Sequence, residues 1–276
     1  MTRICFIGNS HLAAVKLGWD ATSNEYPHLT ASFFGAPAAG MSLMVPGGDG
    51  YLVSNHSTVT TQLQSLWGTE RFRPDDYDVL CLVGMGLSPR TLLRLYRFFR
   101  SSVHRNRTGQ FRLLSPECFQ AAANGRVASM VGAMLLSRLR DVSQRPVILV
   151  MQAAPCLPFA DGGPQPEWLT TMLTSGDDRL LLESFVDAVR RFPGANFLMQ
   201  QPEITSLNLF VTKPEYAAGS QRLDPSFSEH EDEDTSHMNA TYGALVVRDV
   251  HELLRREGLA GGRAAQAEKP ALELSV

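Results

Sequence analysis

The chain lacks most of the features that would place it quickly. It has only four cysteines in 276 residues (Cys5, Cys81, Cys118 and Cys156) and no C-x-x-C pair, which argues against a disulfide scaffold or a thiol metal cluster. No apolar run reaches the ~20 residues that cross a bilayer. The N-terminus reads as a strand, not as a basic region leading into an apolar stretch and cleavage site, so no signal peptide is expected. No Gly-x-x-x-x-Gly-Lys-Ser/Thr loop occurs. Gly84-Met85-Gly86 lacks the third glycine and the acidic ribose partner of a dinucleotide site. There is no internal repeat. A formal net charge of −3, with no long basic patch, excludes a general nucleic-acid binder. The local exception is the cluster Arg94, Arg97, Arg100, Arg105, Arg107 and Arg112. Its interleaved Leu92, Leu93, Leu95, Tyr96, Phe98 and Phe99 favour core packing with snorkelling arginines over a membrane or partner surface.

What is present is ordinary globular composition, 44% hydrophobic and 19% charged, and a regular alternation of elements. Strand-like runs fall at residues 3–7, 29–34, 78–83, 146–152 and 196–200. Helical periodicity falls at 12–19, 59–66, 88–103, 121–142, 177–191 and 240–257. Continuous apolar runs such as VLCLV and VILVM suit strands covered on both faces. The pattern predicts an α/β fold, an open parallel sheet with helices on both sides. A single domain over residues 1–258 is expected, with a tail lacking periodicity from 259 to 276. Cys5, Cys81 and Cys156, in or near buried strands, read as small core residues of a cytoplasmic protein.

Sites of open α/β sheets lie beyond the carboxyl ends of the strands. Gly8-Asn9-Ser10-His11, Gly35-Ala36-Pro37, Gly84-Met85-Gly86 and Gln152-Ala153-Ala154-Pro155 all fall there, and Pro46-Gly47-Gly48-Asp49-Gly50 reads as a flexible rim loop beside them. A serine at a strand-to-helix turn can serve as a plain N-cap. It can also be a nucleophile that uses the free N–H groups and dipole of the helix start. Asp234-Thr235-Ser236-His237, just before the last helix, offers an orienting carboxylate and a base three residues apart. The acidic run Glu229 to Glu233 around it is a solvated loop, its carboxylates expected to face water. His230, Asp232, Asp234 and His237 also suffice in number for a cation, although no known metal spacing matches.

With Ser10 after the first strand and Asp234-x-x-His237 near the end, the chain resembles the SGNH hydrolase superfamily, the GDSL-like esterases. Gly8-Asn9-Ser10 stands where that family has Gly-Asp-Ser, and Tyr242-Gly243 with the closing helix matches its usual continuation. The resemblance implies a flavodoxin-like three-layer α/β/α fold. It implies Ser10 as nucleophile, His237 as base and Asp234 as its partner, with backbone N–H groups of Ser10 and a glycine after the second strand as oxyanion donors. Gly35 and Gly40 compete for the latter place, and distance from the strand favours Gly40. The family's Gly-x-Asn-Asp block is absent: Gly86 occupies the position of the Asn donor. Asn9, Gln152, Asn239 and the Gly86 N–H are candidates to replace it. The activity implied is hydrolysis of a small acyl ester or acylated glycan without a cofactor. The alternatives are an O-acyltransferase of polysaccharide or glycoconjugate synthesis and a non-catalytic SGNH-like binding protein.

Overall fold

Residues Thr2–Gly8 (β1) are buried at every position except Arg3, and Val79–Val83 and Val147–Val150 are buried throughout. Strands apolar on both faces need cover on both faces, and a parallel sheet between helices provides it. The computed structural model describes residues 1–37, 39–156, 167–206, 210–224, 226–231 and 234–259. Its central sheet comprises β1, Leu29–Gly35 (β2), Val79–Val83 (β3), Val147–Val150 (β4) and Ala195–Leu198 (β5). The strands are all parallel, in the order β2-β1-β3-β4-β5. The chain reverses its winding direction between β1 and β3, so the crevice of a doubly wound fold opens at their carboxyl ends.

The helices are Leu12–Thr22 (α1), Ser57–Trp67 (α2), Leu93–Phe98 (α3), Pro116–Ala128 (α4), Val131–Arg140 (α5), Glu167–Ser175 (α6), Asp177–Val189 (α7) and Ala240–Arg256 (α8). Side chains of period two divide between the faces. Ile4, Phe6, Cys81 and Val83 pack with α1 and α8. Cys5, Ile7, Leu80 and Leu82 pack with α2, α5 and α7. The result is three layers, α/β/α.

Two expected helices are interrupted. Periodicity over 88–103 gives a short 3₁₀ turn and α3, after which Phe99 turns extended (φ −139, ψ 139). Phe99–Ser101 then pairs in parallel with Arg112–Leu114. The cause is Arg100, which points inward instead of snorkelling: it is 1% exposed, and its guanidinium bonds the Asn106 carbonyl at 2.7 Å. The expected helix over 121–142 starts earlier, at Pro116 behind a Ser115 cap, and breaks at an extended Met130. The break lets the Gly132 N–H reach the Met85 carbonyl at 3.1 Å, where a Cβ on residue 132 would lie 2.7 Å from Leu87. Tertiary contact overrides helix propensity in both places. The rim loop is a hairpin turn between Met44–Pro46 and Leu52–Ser54. At the C-terminus, Leu259 is anchored to the sheet, its carbonyl accepting from the Thr2 hydroxyl at 3.2 Å. Residues 260–276 of the expected tail lie outside the described residues. No helix among the described residues is long and apolar enough to cross a membrane.

Candidate active site

β1 ends where it must. A Cβ on Gly8 would lie 2.8 Å from the Val83 carbonyl, and one on Gly35 2.2 Å from the Gly8 carbonyl. The three strand ends are therefore packed too closely for side chains, and the chain turns at once. The Asn9 and Ser10 carbonyls accept from Leu12 and Ala13 at 2.9 and 3.2 Å, opening α1. The Asn9 side chain accepts weakly from the His11 N–H at 3.4 Å, a local turn bond made by its oxygen and not by its amide N–H₂. No described residue accepts from the Ser10 N–H, which stays available at the positive end of α1.

The other half is built by side-chain bonds to local backbone. Asp234 Oδ1 accepts from the N–H groups of Ser236 (2.7 Å) and His237 (2.9 Å), a turn that aims the two side chains at one another. Asn239 caps α8 by accepting from Tyr242 N–H at 3.1 Å. Its amide donates to the Glu215 and Ala218 carbonyls at 2.8 and 2.9 Å. Those bonds consume the donors that Asn239 would have offered to an oxyanion.

The two halves meet through one chain of hydrogen bonds. His237 Nδ1 lies 2.8 Å from Asp234 Oδ2, and His237 Nε2 lies 2.8 Å from Ser10 Oγ. A carboxylate only accepts, so the shared proton sits on Nδ1 and the Nε2 lone pair faces the serine hydroxyl. Burial pushes the Asp234 carboxyl up, but bonds from the His237 ring and from the His237 and Ser236 N–H groups outweigh it and pull it down to about 2.

Two further imidazoles crowd this chain. His230 Nδ1 lies 3.0 Å from the same Asp234 Oδ2, and its ring stacks on His237 with centroids 4.1 Å apart and planes 10° apart. Burial, then His237, hold His230 below its ordinary value against the pull of Asp234. His11 also stacks on His237, with centroids 5.2 Å apart, and burial with His237 lowers it to about 3. His11 Nδ1 and His230 Nε2 are both buried without a hydrogen-bond partner among the described residues. Sequence reasoning named His230 only as a metal ligand and left His11 without a role. The adjacency of His11 to Ser10 and the four-residue step from His230 to Asp234 were the available signals.

The donor atoms of His230, Asp234 and His237 lie within 4.8 Å of one another, close enough for an ion. In the relay, however, the proton on His237 Nδ1 leaves that atom no lone pair for an ion. Asp232 lies outside the described residues, and Glu229 and Glu231 face solvent.

Gly40 and Gly86, two of the expected oxyanion donors, spend their N–H groups on other bonds. Gly40 N–H bonds back to the Pro37 carbonyl at 3.1 Å. No described hydrogen bond joins Gly40 to Ser10, Asp234 or His237. In the loop after β3, Gly84, Met85 and Gly86 all have positive φ (73°, 54° and 84°), which explains a Gly-x-Gly without any nucleotide. A Cβ at residue 86 would lie 3.0 Å from Met130 Sδ, so Met130 fills the space an asparagine would use. The Gly86 N–H donates to Gln152 Oε1 at 2.6 Å. With its oxygen so held, Gln152 has its amide N–H₂ as its remaining donor.

A cavity of about 390 Å³ adjoins Asp234 and His230 and is walled by Cys156, Pro214, Ala217 and Thr235. A larger one, about 610 Å³, lies between α4 and α7 and contains no member of the hydrogen-bonded chain. The former meets the relay at its Asp234 end and is lined by neither Ser10 nor His237.

No family model matches the chain, and no curated protein matches it. Among solved structures it is similar to a possible lipase from Chitinophaga pinensis DSM 2588, with 12% identity and a TM-score of 0.36 over 94% of this chain and 100% of that one. It is also similar to a gut microbial diltiazem-metabolizing enzyme, with 13% identity and a TM-score of 0.38 over 95% of this chain. The match spans 48% of that enzyme.

Proposed function

We propose that this protein is a serine acyl-ester hydrolase of the SGNH type, carried by residues 1–258 as one domain. The observation that supports it is the continuous relay Ser10 Oγ, His237 Nε2, His237 Nδ1 and Asp234 Oδ2, with both links at 2.8 Å. Ser10 Oγ attacks the ester carbonyl carbon while His237 Nε2 takes its proton. The tetrahedral intermediate collapses as His237 returns that proton to the leaving alkoxide, releasing the alcohol. Water, deprotonated by His237, then attacks the acyl-enzyme and frees the carboxylic acid and Ser10. Asp234 holds the imidazole in the Nδ1–H tautomer throughout and stabilises the transient imidazolium.

The oxyanion needs donors at its developing charge. The Ser10 N–H at the start of α1 is one. The Gln152 amide, with its oxygen fixed by Gly86, is the second and takes the place of the family's asparagine. The substrate class is a small ester or acylated glycan.

The test is turnover of p-nitrophenyl acetate by the wild type and by Ser10→Ala, with fluorophosphonate labelling alongside. Loss of turnover and of labelling at an unchanged melting temperature supports the mechanism. Turnover that survives Ser10→Ala overturns it.

A further inference from the structure

The arginine cluster takes no part in the relay and forms a surface of its own. From Val79 to Pro116 the chain carries seven arginines and no acidic residue, in a protein of formal net charge −3. Arg94, Arg97, Arg105, Arg107 and Arg112 are exposed. None of the five is in a salt bridge among the described residues. Five large hydrophobic side chains are exposed among the described residues, and three of them lie in this segment: Phe98 (46%), Val103 (52%) and Leu113 (63%).

The surface is built, not loose. Phe99 stands opposite Arg112 and Arg100 opposite Leu113 in the two-strand ladder. Beneath it, the buried Arg100 guanidinium stacks on Tyr96 and Phe111, at 4.7 and 4.3 Å from their ring centres. Asp177 accepts from the Tyr96 hydroxyl (2.7 Å) and from the N–H groups of Arg105 (2.7 Å) and Asn106 (2.9 Å), which pins the turn. Arg97 lies over the Phe98 ring at 5.2 Å. Above this layer, guanidinium groups with no salt-bridge partner among the described residues and exposed apolar groups alternate along the segment, Phe98 beside Arg97 and Leu113 beside Arg112.

We propose that this face docks the protein on an anionic phospholipid surface. The guanidinium groups pair with lipid phosphates, for which their planar fork is suited. Phe98, Val103 and Leu113 enter the boundary between headgroups and acyl chains. Charge alone would equally suit a nucleic acid or an acidic protein. The apolar groups decide: Val103 and Leu113 cannot stack on bases, and only a lipid surface offers an apolar phase beside a layer of phosphates. Each arginine near such a surface strengthens binding by about fivefold, an effect that salt screens.

Cosedimentation of the full chain with phosphatidylcholine vesicles, with and without about 30% phosphatidylglycerol, tests this at about 0.1 M salt. The expected result is binding at least about tenfold tighter to the anionic vesicles. Arg94→Gln/Arg97→Gln/Arg105→Gln together should weaken it about a hundredfold. Phe98→Ser/Val103→Ser/Leu113→Ser should weaken it about tenfold or more at unchanged charge. Should either triple variant lose its melting transition, Arg107→Gln/Arg112→Gln and Leu113→Ser carry the same two comparisons. Ser10→Ala should bind vesicles as the wild type does, so this outcome is separate from that of the hydrolase reading. Equal binding to both vesicle types, or wild-type binding by the apolar variants, overturns the proposal. So does binding to a single-stranded oligonucleotide that matches vesicle binding and ignores the apolar substitutions.

Discussion

A Cβ on Gly243 would stand 1.7 Å from the carbonyl oxygen of Ala14. The backbones of α1 and α8 thus touch at this crossing, and a Cβ on Gly18 would lie 2.2 Å from the backbone of Gly243 and Ala244. Ser10 lies four residues before Ala14, and His237 six residues before Gly243. The crossing therefore sets the Ser10–His237 distance: two helix starts are held in reach because two helix bodies carry no side chain where they meet.

Gly243→Ala tests this. No rotamer relieves a Cβ–carbonyl clash, so the helices must separate, at a cost of about 1–3 kcal/mol as in other overpacked interiors. A lower melting temperature and slower fluorophosphonate labelling of Ser10 are expected together. Normal labelling in a destabilised variant would show that the relay does not depend on the crossing.

Gln152→Ala removes the amide that Gly86 orients. The expected outcome is a fall in kcat of about 10²–10³, the usual effect of losing one oxyanion donor, with KM little changed and fluorophosphonate labelling retained. An unchanged kcat would mean that the second donor lies elsewhere.

His230→Phe keeps the stacked ring but loses the bond to Asp234, whereas His230→Asn keeps a donor near the Nδ1 position. If the bond steadies the carboxylate, His230→Phe lowers kcat about tenfold, or about 1.4 kcal/mol, and His230→Asn recovers most of it. Equal kcat in both variants would leave His230 a packing residue.

Acid sensitivity follows from His11 and Asp234. Burial lowers His11 from 6.5 to about 3 in the folded chain. Between these values the unfolded chain binds a proton that the folded chain excludes, so stability is lost as pH falls through that range. Asp234, lowered from 3.8 to about 2, contributes fully above its ordinary value and is lost only as pH falls through about 2. Melting temperature should thus decline from about pH 6.5 downward, and His11→Gln should flatten the decline between pH 6 and about 4. Parallel curves for the two proteins would refute the burial of a neutral His11.

Much of this was legible in the chain itself. The five strands read from apolar runs are the five strands of the sheet, β5 beginning at Ala195, one residue earlier than its pattern. Ser10 falls at the strand-to-helix turn as read, whereas Asn239, read as a candidate oxyanion donor, caps α8. The helix patterns failed where a long-range partner intervened. Arg100 reads as an outward cation in a periodic run, yet its inward turn converts the following residues to a strand. Gly132 reads as one glycine among helix formers, yet its N–H is drawn to Met85 and splits the helix.

The sequence alone determined whatever a few neighbouring residues can settle. Alternating or continuous apolar side chains dictate strand burial, and Asp234 with the N–H groups two and three residues ahead dictates its own turn. The tertiary structure decided which groups meet across the chain. Ser10 and His237 are 227 positions apart, and Gly86 and Gln152 are 66 apart. No local preference encodes those meetings. They depend on how closely α1 and α8 can cross and on how the loops after β3 and β4 close over one another. Those distances are set by packed backbone and excluded volume, which exist only once the layers have assembled.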